Sequence, residues 1–409
     1  MLALFRIAWR SIWRNKRRTA ISVSAIGFSL ALAIFMISLA DGVYAQMIRD
    51  AVRMQGGHFT LEHPDYREAP AIDLFIDDIA FLRSKIETLE GVEFTKALTL
   101  GQGVLKSSWG SAGIAVMGVE PSVEASTSPL ARNIVRGKYL EDGDQRKVVL
   151  GSKLAELLKI DVGKKVVVTS NNTAGELVEE LVRVKGIFSL GVAETDAYLA
   201  QIPLSFARQL HDLSATGATQ LGVVLTDPDD RPATMQQIAG LLDDADVAAY
   251  PWEEVLPELA AYVRVDRNSN LILQGIIIFL SLFTIFNTVL MSILERTREF
   301  AIQLALGTPS GFLRLQVLAE STMLALLGCV GGVTVGGAFA IWLQERGWDL
   351  RDVYGDLDVS GFAVDPVIHA QVTPGLIVGL ACIVLGATLL ICLLSMRHIS
   401  RISVADVLR

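Results

Sequence analysis

Four long stretches of the chain are apolar without a break. They cover residues 21–40 (closed by Asp41), 271–293, 317–343 and 374–396. A run of about 20 apolar residues spans a hydrocarbon core of roughly 30 Å, so each predicts a transmembrane helix. The only charge within them is Glu320, near the start of the third. The long segment 41–270 reads differently. Strand-like runs occur at 58–62, 113–118, 147–151, 165–170, 181–187 and 220–225. Helix-like runs occur at 77–89, 152–158, 204–212 and 233–243. The fold class is therefore an α-helical membrane protein with four transmembrane helices and a large α+β extracytoplasmic domain, in two lobes, between spans 1 and 2. Residues 41–54 and 256–270 lack glycine and proline apart from Gly42 and Pro257, and predict helical stalks continuing spans 1 and 2 outward.

Residues 1–20 predict a cytoplasmic amphipathic helix. On a helical wheel Leu4, Phe5, Ala8, Trp9, Ile12 and Trp13 fill one half and Arg6, Arg10, Arg14, Arg17 and Arg18 the other, with Lys16 on the apolar side. Trp9 and Trp13 beside Arg10 and Arg14 suit a helix lying at the membrane interface, in contact with lipid. The apolar run that follows is longer than the core of a cleaved signal peptide, its basic flank is some 20 residues long and Asp41-Gly42 closes it, so it reads as a retained anchor.

Charge then orients the spans. The first twenty residues hold six bases and no acid. Segment 294–316 holds Arg296, Arg298 and Arg314, and tail 397–409 holds Arg397, Arg401 and Arg409. Loop 344–373 holds two bases against six acids. Basic flanks stay in the cytoplasm, which places both termini and 294–316 inside, and 41–270 and 344–373 outside. Composition agrees: 51% of residues are hydrophobic and 20% charged, below the quarter or so common in soluble domains. The net charge of −8 speaks against a nucleic-acid partner. The three cysteines, Cys329, Cys382 and Cys392, all lie in apolar runs, so neither disulfides nor a metal site is expected of them.

Catalytic motifs are sought without success. There is no GxxxxGK[ST] phosphate loop. Gly27-Phe28-Ser29-Leu30-Ala31 approaches a nucleophile elbow but sits mid-span with no histidine in any span. His58 and His63 are five residues apart in a strand-like run and point to opposite faces. Asp356, Asp358, Ser360 and Gly361 match half of a calcium loop, but Val367 stands where a bidentate Glu is required. No metal, cofactor or enzymatic activity is expected. Gly328, Gly332 and Gly336, spaced by four, predict close helix packing, either within the chain or against a second subunit.

The most specific segment is Glu295-Arg-Thr-Arg-Glu-Phe-Ala-Ile-Gln-Leu-Ala-Leu-Gly307. It resembles the coupling-helix signature of ABC transporter permeases of the MacB/FtsX superfamily, through Glu295, Arg296, Arg298, Glu299, Ala305, Leu306 and Gly307. The start, Ala8-Trp-Arg-Ser-Ile-Trp-Arg-Asn-Lys-Arg-Arg-Thr19, and the end, Ile402-Ser-Val-Ala-Asp-Val-Leu-Arg409, are similar to the family's termini, with Val404 replacing a usual proline. Arg136-Gly-Lys-Tyr139, Val148-Val-Leu-Gly151 and Leu154-Ala155 resemble its external domain. Independently of this, a coupling helix needs docking charges, apolar side chains for a partner groove (Leu304 and Leu306) and a sharp exit at Gly307-Thr308-Pro309.

The resemblance implies a non-catalytic permease subunit of the inner membrane. Two separate ATPase chains would bind the ATP, and a second permease, identical or not, would complete the complex. ATP-driven closure would move the stalks and external domains, a mechanism called mechanotransmission. Gly118-Val-Glu-Pro121, Gly186-Ile-Phe188 and Glu194-Thr-Asp196 resemble the LolC/LolE lipoprotein-releasing branch most, implying lipid-anchored cargo. Segment 360–365 lacks that branch's tyrosine-rich stretch. The alternatives are MacB-like export of peptides or amphiphiles with a periplasmic adaptor, and FtsX-like signalling to a cell-wall hydrolase. Cargo contacts are expected on 35–44 and 263–276.

Overall fold

The computed structural model describes residues 2–14, 16–242, 246–349, 358–359, 362–363 and 367–399. The chain forms two compact units. The first draws on Met1–Ala45, Arg264–Leu350 and Val367–Arg409, the second on Gln46–Val263 and Arg351–Pro366.

The chain begins with α1 (Leu2–Arg14) and the 39-residue α2 (Lys16–Met54). Nothing in α2 breaks the helix: Gly42 is its only glycine beyond the mid-span Gly27, and it has no proline. The helix therefore runs unbroken through residues 41–54, which the sequence assigns to a stalk.

The second unit carries ten strands: β1 (Phe59–Glu62), β2 (Val92–Lys106), β3 (Ser111–Val119), β4 (Ile134–Gly137), β5 (Lys147–Gly151), β6 (Lys165–Asn171), β7 (Leu177–Phe188), β8 (Leu199–Pro203), β9 (Gln220–Leu225) and β10 (Ala248–Pro251). They pair in the order β10-β1-β9-β2-β3-β8-β5-β7-β4, with β6 between β2 and β7. The β3–β8 and β5–β7 pairs are parallel, the rest antiparallel. Its helices are α3 (Ile79–Ile86), α4 (Pro121–Thr127), α5 (Pro129–Arg132), α6 (Ser152–Leu157), α7 (Ala193–Tyr198), α8 (Leu204–His211), α9 (Arg231–Leu241) and α10 (Trp252–Val255).

Strand β2 divides this unit into two lobes. Its first half pairs with β9, from Val92↔Leu225 to Leu98↔Gln220, and its last residues pair with β6, from Gly103↔Ser170 to Lys106↔Val167. One core gathers Phe59, Leu61, Ile79, Leu82, Ile86, Leu221 and Val223. Another gathers Leu105, Ile114, Val148, Leu150, Val166, Val184 and Phe206. Gly103 allows the second pairing, because a Cβ there would lie 2.5 Å from the Thr169 carbonyl.

The chain returns through α11 (Pro257–Glu295), α12 (Thr297–Ala305), α13 (Ser310–Arg346) and α14 (Pro374–Ile399). Three helical stretches among the described residues, Thr19–Met54, Ser310–Arg346 and Pro374–Leu393, are long and apolar enough to cross a membrane. The predicted span 271–293 lies within α11, where the side chains at 281, 284, 285, 288, 289 and 292 fall outside the described ones. Thr373 and Pro374 stand at the start of α14, with the Leu376 N–H donating to the Thr373 carbonyl at 3.0 Å. At the start of α13, Pro309 is the extended residue before the helix and Ser310 the first within it. Pro309 fits there because its fixed φ suits the extended cap.

The core of the first unit joins Ile26, Leu30, Ala33 and Ile34 of α2 to Ile293, Phe300, Leu313, Val317, Leu380 and Val384. The glycine stripe of α13 faces α2. A Cβ on Gly328 would approach Ile26 to 2.6 Å, on Gly332 the Gly27 carbonyl to 2.7 Å, and on Gly336 the Ala31 Cα to 2.7 Å. Close packing of this kind replaces the hydrophobic driving force that apolar surroundings cannot supply. Phe28, Ile272, Phe279, Val330, Val335 and Val378 point outward, as lipid-facing side chains do.

Residues 350–357, 360–361 and 364–366 of loop 344–373 lie outside the described residues, including Asp356, Ser360 and Gly361 of the calcium-like stretch. So do residues 400–409, with the whole of the family-like ending.

Candidate functional site

The Glu295–Gly307 segment folds as the short helix α12 between two longer ones. Arg296 precedes its first turn, and the Phe300 N–H donates to the Arg296 carbonyl at 2.9 Å. At the far end the Gly307 N–H reaches the Leu304 carbonyl and the Thr308 N–H the Gln303 carbonyl, both at 3.0 Å. This double bond pattern around a positive-φ residue is the Schellman cap, and Gly307 (φ +93°) supplies it without strain.

Helix α12 has two faces. Phe300 and Ala301 are buried and Leu304 packs on the same core. Glu295, Arg298, Glu299, Ile302, Ala305, Leu306 and Gly307 are exposed, Leu306 at 81%. The sequence pairs Leu304 with Leu306 as groove-entering residues. Leu304 instead faces inward, and Ile302, four residues before Leu306 and so on its side of the helix, takes that position.

Arg296, another residue of the matched signature, turns away from the exposed face. Its Nη1 donates to Glu320 Oε1 at 3.0 Å and Oε2 at 2.8 Å, and to Ser11 Oγ at 3.2 Å. Its Nε donates to Glu299 Oε2 at 3.1 Å, and its guanidinium lies 5.1 Å from the Phe300 ring centre. The Arg296 and Glu320 side chains are 11% and 8% exposed. Gln316 Nε2 donates to the same Glu320 carboxylate at 3.3 Å. Glu299 is shared, because Arg14 Nη2 reaches its two oxygens at 2.9 and 3.2 Å. A cavity of about 240 Å³ opens beside these groups.

This network ties four elements together: α1 through Ser11 and Arg14, the α11–α12 junction through Arg296, α12 through Glu299, and α13 through Glu320. Burial alone would lower the Arg296 pKa, but the Glu320 and Glu299 carboxylates outweigh it and hold the guanidinium charged. Partial burial would raise Glu299, but the Arg296 and Arg14 guanidiniums draw its carboxyl below the ordinary range. Helix α1 packs on α13 through Ala8 and Ile12 against Met323. Its apolar half is therefore divided, since Trp9 and Trp13 stay exposed, edge to face at 5.9 Å.

The sequence marks Glu320 only as the one charge within a span. That was the available signal: an isolated carboxylate in an apolar run demands a cation, and Arg296 lies a short connection away.

The residues expected to meet cargo form a second feature of the same unit. Tyr44 Oη donates to Asp266 Oδ2 at 2.5 Å, Asn270 Nδ2 donates to Tyr44 Oη at 2.6 Å, and Arg267 Nη2 pairs with Asp41 Oδ1 at 3.2 Å. Asp41, Tyr44, Arg267 and Asn270 rim a cleft of about 470 Å³ whose remaining wall, Gln274 apart, is apolar, with Ile37, Ile278, Leu376, Leu380 and Ile383. Among the described residues no group of His, Cys, Asp and Glu could hold a metal ion.

Comparison with known proteins agrees with this architecture. The FtsX-like permease C-terminal family matches residues 271–404, and the MacB-like periplasmic core domain matches residues 19–241. The chain is 23% identical over 412 residues to the lipoprotein-releasing system transmembrane protein LolC of Neisseria meningitidis serogroup B, covering 96% of this chain and 94% of that one. It is also 23% identical over 360 residues to the pyoverdine export ATP-binding/permease protein PvdT of Pseudomonas syringae pv. syringae, covering 81% of this chain and 50% of the relative. The periplasmic region of MacB from Actinobacillus actinomycetemcomitans aligns with 53% of this chain and 98% of that structure, at 14% identity and TM-score 0.37.

Proposed function

Since the chain belongs to the MacB/FtsX family of ABC transporter permeases, we propose that it is the four-span membrane subunit of a mechanotransmitting complex that releases lipid-anchored proteins from the inner membrane. Two ATPase chains bind the ATP and dock on α12, a second permease completes the complex, and both termini are cytoplasmic.

The observation that carries this reading is the division of α12 into a buried and an exposed face. Arg298, Ile302 and Leu306 stand outward on a short capped helix, and charged rims around apolar knobs suit docking into a groove. Behind them, Arg296 pins the helix to Glu320 on α13. A push on α12 then moves α13 as one body, and α11 and α2 run unbroken from the same region toward the external residues. An ATP-bound partner shifts this assembly only if it favours one of its two states. The cleft at Tyr44, Arg267 and Asn270 offers a polar rim above an apolar wall, chemistry that fits an acyl-modified polypeptide better than a soluble one. The similarity to LolC over nearly the whole of both chains supports lipoprotein release over export.

The test is purification of the tagged chain in mild detergent, with mass spectrometry of bound proteins and lipids. An ABC ATPase together with acylated proteins supports the reading. An ATPase with a periplasmic adaptor or hydrolase and no acylated protein moves the assignment to export or signalling. Purification without an ATPase contradicts it.

A further inference from the structure

We infer that the exposed face of α1 is a binding surface for anionic phospholipid headgroups, and that α1 passes their presence to the coupling helix through Arg14. The inference rests on α12 being the ATPase-docking helix.

The two sides of α1 do different things. Ala8 and Ile12 are buried against Met323, which fixes the helix on α13. Around the cylinder from them stand Trp9 and Trp13, then Arg6, Arg10 and Arg14, all exposed. Paired indoles beside a row of guanidiniums match the headgroup layer, where the ring sits among carbonyls and the cation meets phosphate. No acid lies in the first twenty residues, and of these arginines Arg14 is met from outside them, by Glu299. The apolar stretch of α2 begins at Thr19, five residues beyond Arg14, so the chain keeps α1 within roughly 17 Å of a span. An anionic lipid surface therefore meets this face by charge and by connectivity.

The same helix touches the coupling element twice. Ser11 Oγ accepts from Arg296 at 3.2 Å, and Arg14 Nη2 donates to Glu299 at 2.9 Å while its side chain remains 63% exposed. Lipid held by Arg6, Arg10 and the two indoles restrains α1, and the restrained helix keeps Arg14 on Glu299. Membrane charge then sets how firmly α12 is presented to its partner.

The test uses the full chain without ATPase, in nanodiscs of phosphatidylcholine alone or with about one-third phosphatidylglycerol, read by amide hydrogen exchange. With the anionic lipid, exchange in 2–14 slows about tenfold and in 297–306 by a smaller factor of about three, and both effects fade between about 0.05 and 0.5 M salt. In Arg14→Gln the slowing of 2–14 remains and that of 297–306 is lost; Glu299→Gln repeats this from the other side. In the double variant Arg6→Gln/Arg10→Gln both are lost. No lipid effect on 2–14 overturns the inference, as does an effect on 297–306 that survives Arg14→Gln. Protection of α1 that appears only when ATPase is added, whatever the lipid, makes α1 a protein-docking face and also overturns it. Because no ATPase is present in the main experiment, its failure leaves the proposed function standing, whereas a purification without an ATPase removes the premise about α12 and leaves the lipid response of α1 unchanged.

Discussion

Among the described residues the Lys96–Glu124 and Arg296–Glu320 pairs are the most enclosed cation–carboxylate contacts, and they are built differently. In the second unit Lys96 Nζ meets Glu124 Oε1 at 2.9 Å and the Arg53 carbonyl at 2.6 Å, with both side chains 1% exposed. Glu124 Oε2 has no partner. In the first unit Arg296 spreads its donors over Glu320, Glu299 and Ser11, and the network continues to the half-exposed Arg14–Glu299 pair. The first is closed: one ammonium, one carboxylate oxygen, and the last turn of α2 capped by a positive charge. The second is open at one edge, so its carboxylates have partners to exchange. A closed pair fixes the end of a long helix in the external domain, and an open one suits a joint that changes state under load.

The comparison is broken most severely at Lys96. Burial pulls its pKa down, against the raising pull of Glu124, so the pair stands only while both partners are present. Lys96→Met leaves Glu124 buried and unpaired, and is expected to destabilise the external domain by about 3–5 kcal/mol. The double change Lys96→Met/Glu124→Leu should recover most of that. Amide exchange in β2 and β9 measures both.

Acidification gives the next effect. His58 is buried, and its Nδ1 accepts from the Leu225 N–H at 3.0 Å. Burial, with Arg231 and Arg53 nearby, lowers its pKa from 6.5 to about 4. The unfolded chain then binds the proton first as pH falls, so the stabilisation is complete above pH 6.5 and is lost on descending toward pH 4. The loss is on the order of 3 kcal/mol over that window. Exchange in β1 and β9 should accelerate accordingly, and His58→Gln should flatten the profile.

At the open joint, Glu320→Gln keeps the shape and removes the charge. A loss of about 1.5–3 kcal/mol is expected for the charge-assisted bonds, seen as faster exchange in 297–306 with the external domain unchanged. The smallest effect is at Gly307→Ala. No atom lies within 4 Å of the added Cβ, so only the positive φ opposes it, at about 1 kcal/mol. Frayed exchange at 303–308 would register it.

Legibility differed between the same two regions. Long apolar runs and basic flanks are physical requirements of a bilayer, so the long helices could be read from composition alone. Within the external domain the six strand-like runs coincide with β1, β3, β5, β6, β7 and β9. Strand β2, which joins both lobes, was hidden by Lys96, Gly101 and Gly103 inside it. Lys96 is inside because Glu124 lies across from it in space, a partner no local window shows. Gly101 and Gly103 are there because His211 and the Thr169 carbonyl leave no room for a Cβ. The short β4, β8 and β10 hold too few residues for alternation to register. In α12 the residues were legible but not their directions. Arg296 and Phe300 are four apart and share the inward face, a spacing the Glu-Arg-Thr-Arg-Glu run disguises by placing charge on every side.

The central claim is that the outward face of α12 docks an ATPase while Arg296 holds the helix from behind. Co-purification of an ABC ATPase with the wild-type chain and with Leu306→Asp/Arg298→Glu tests it most directly. The account predicts that the variant stays folded, with unchanged exchange in α13, and loses the ATPase. A variant that retains the ATPase at the wild-type ratio would contradict it.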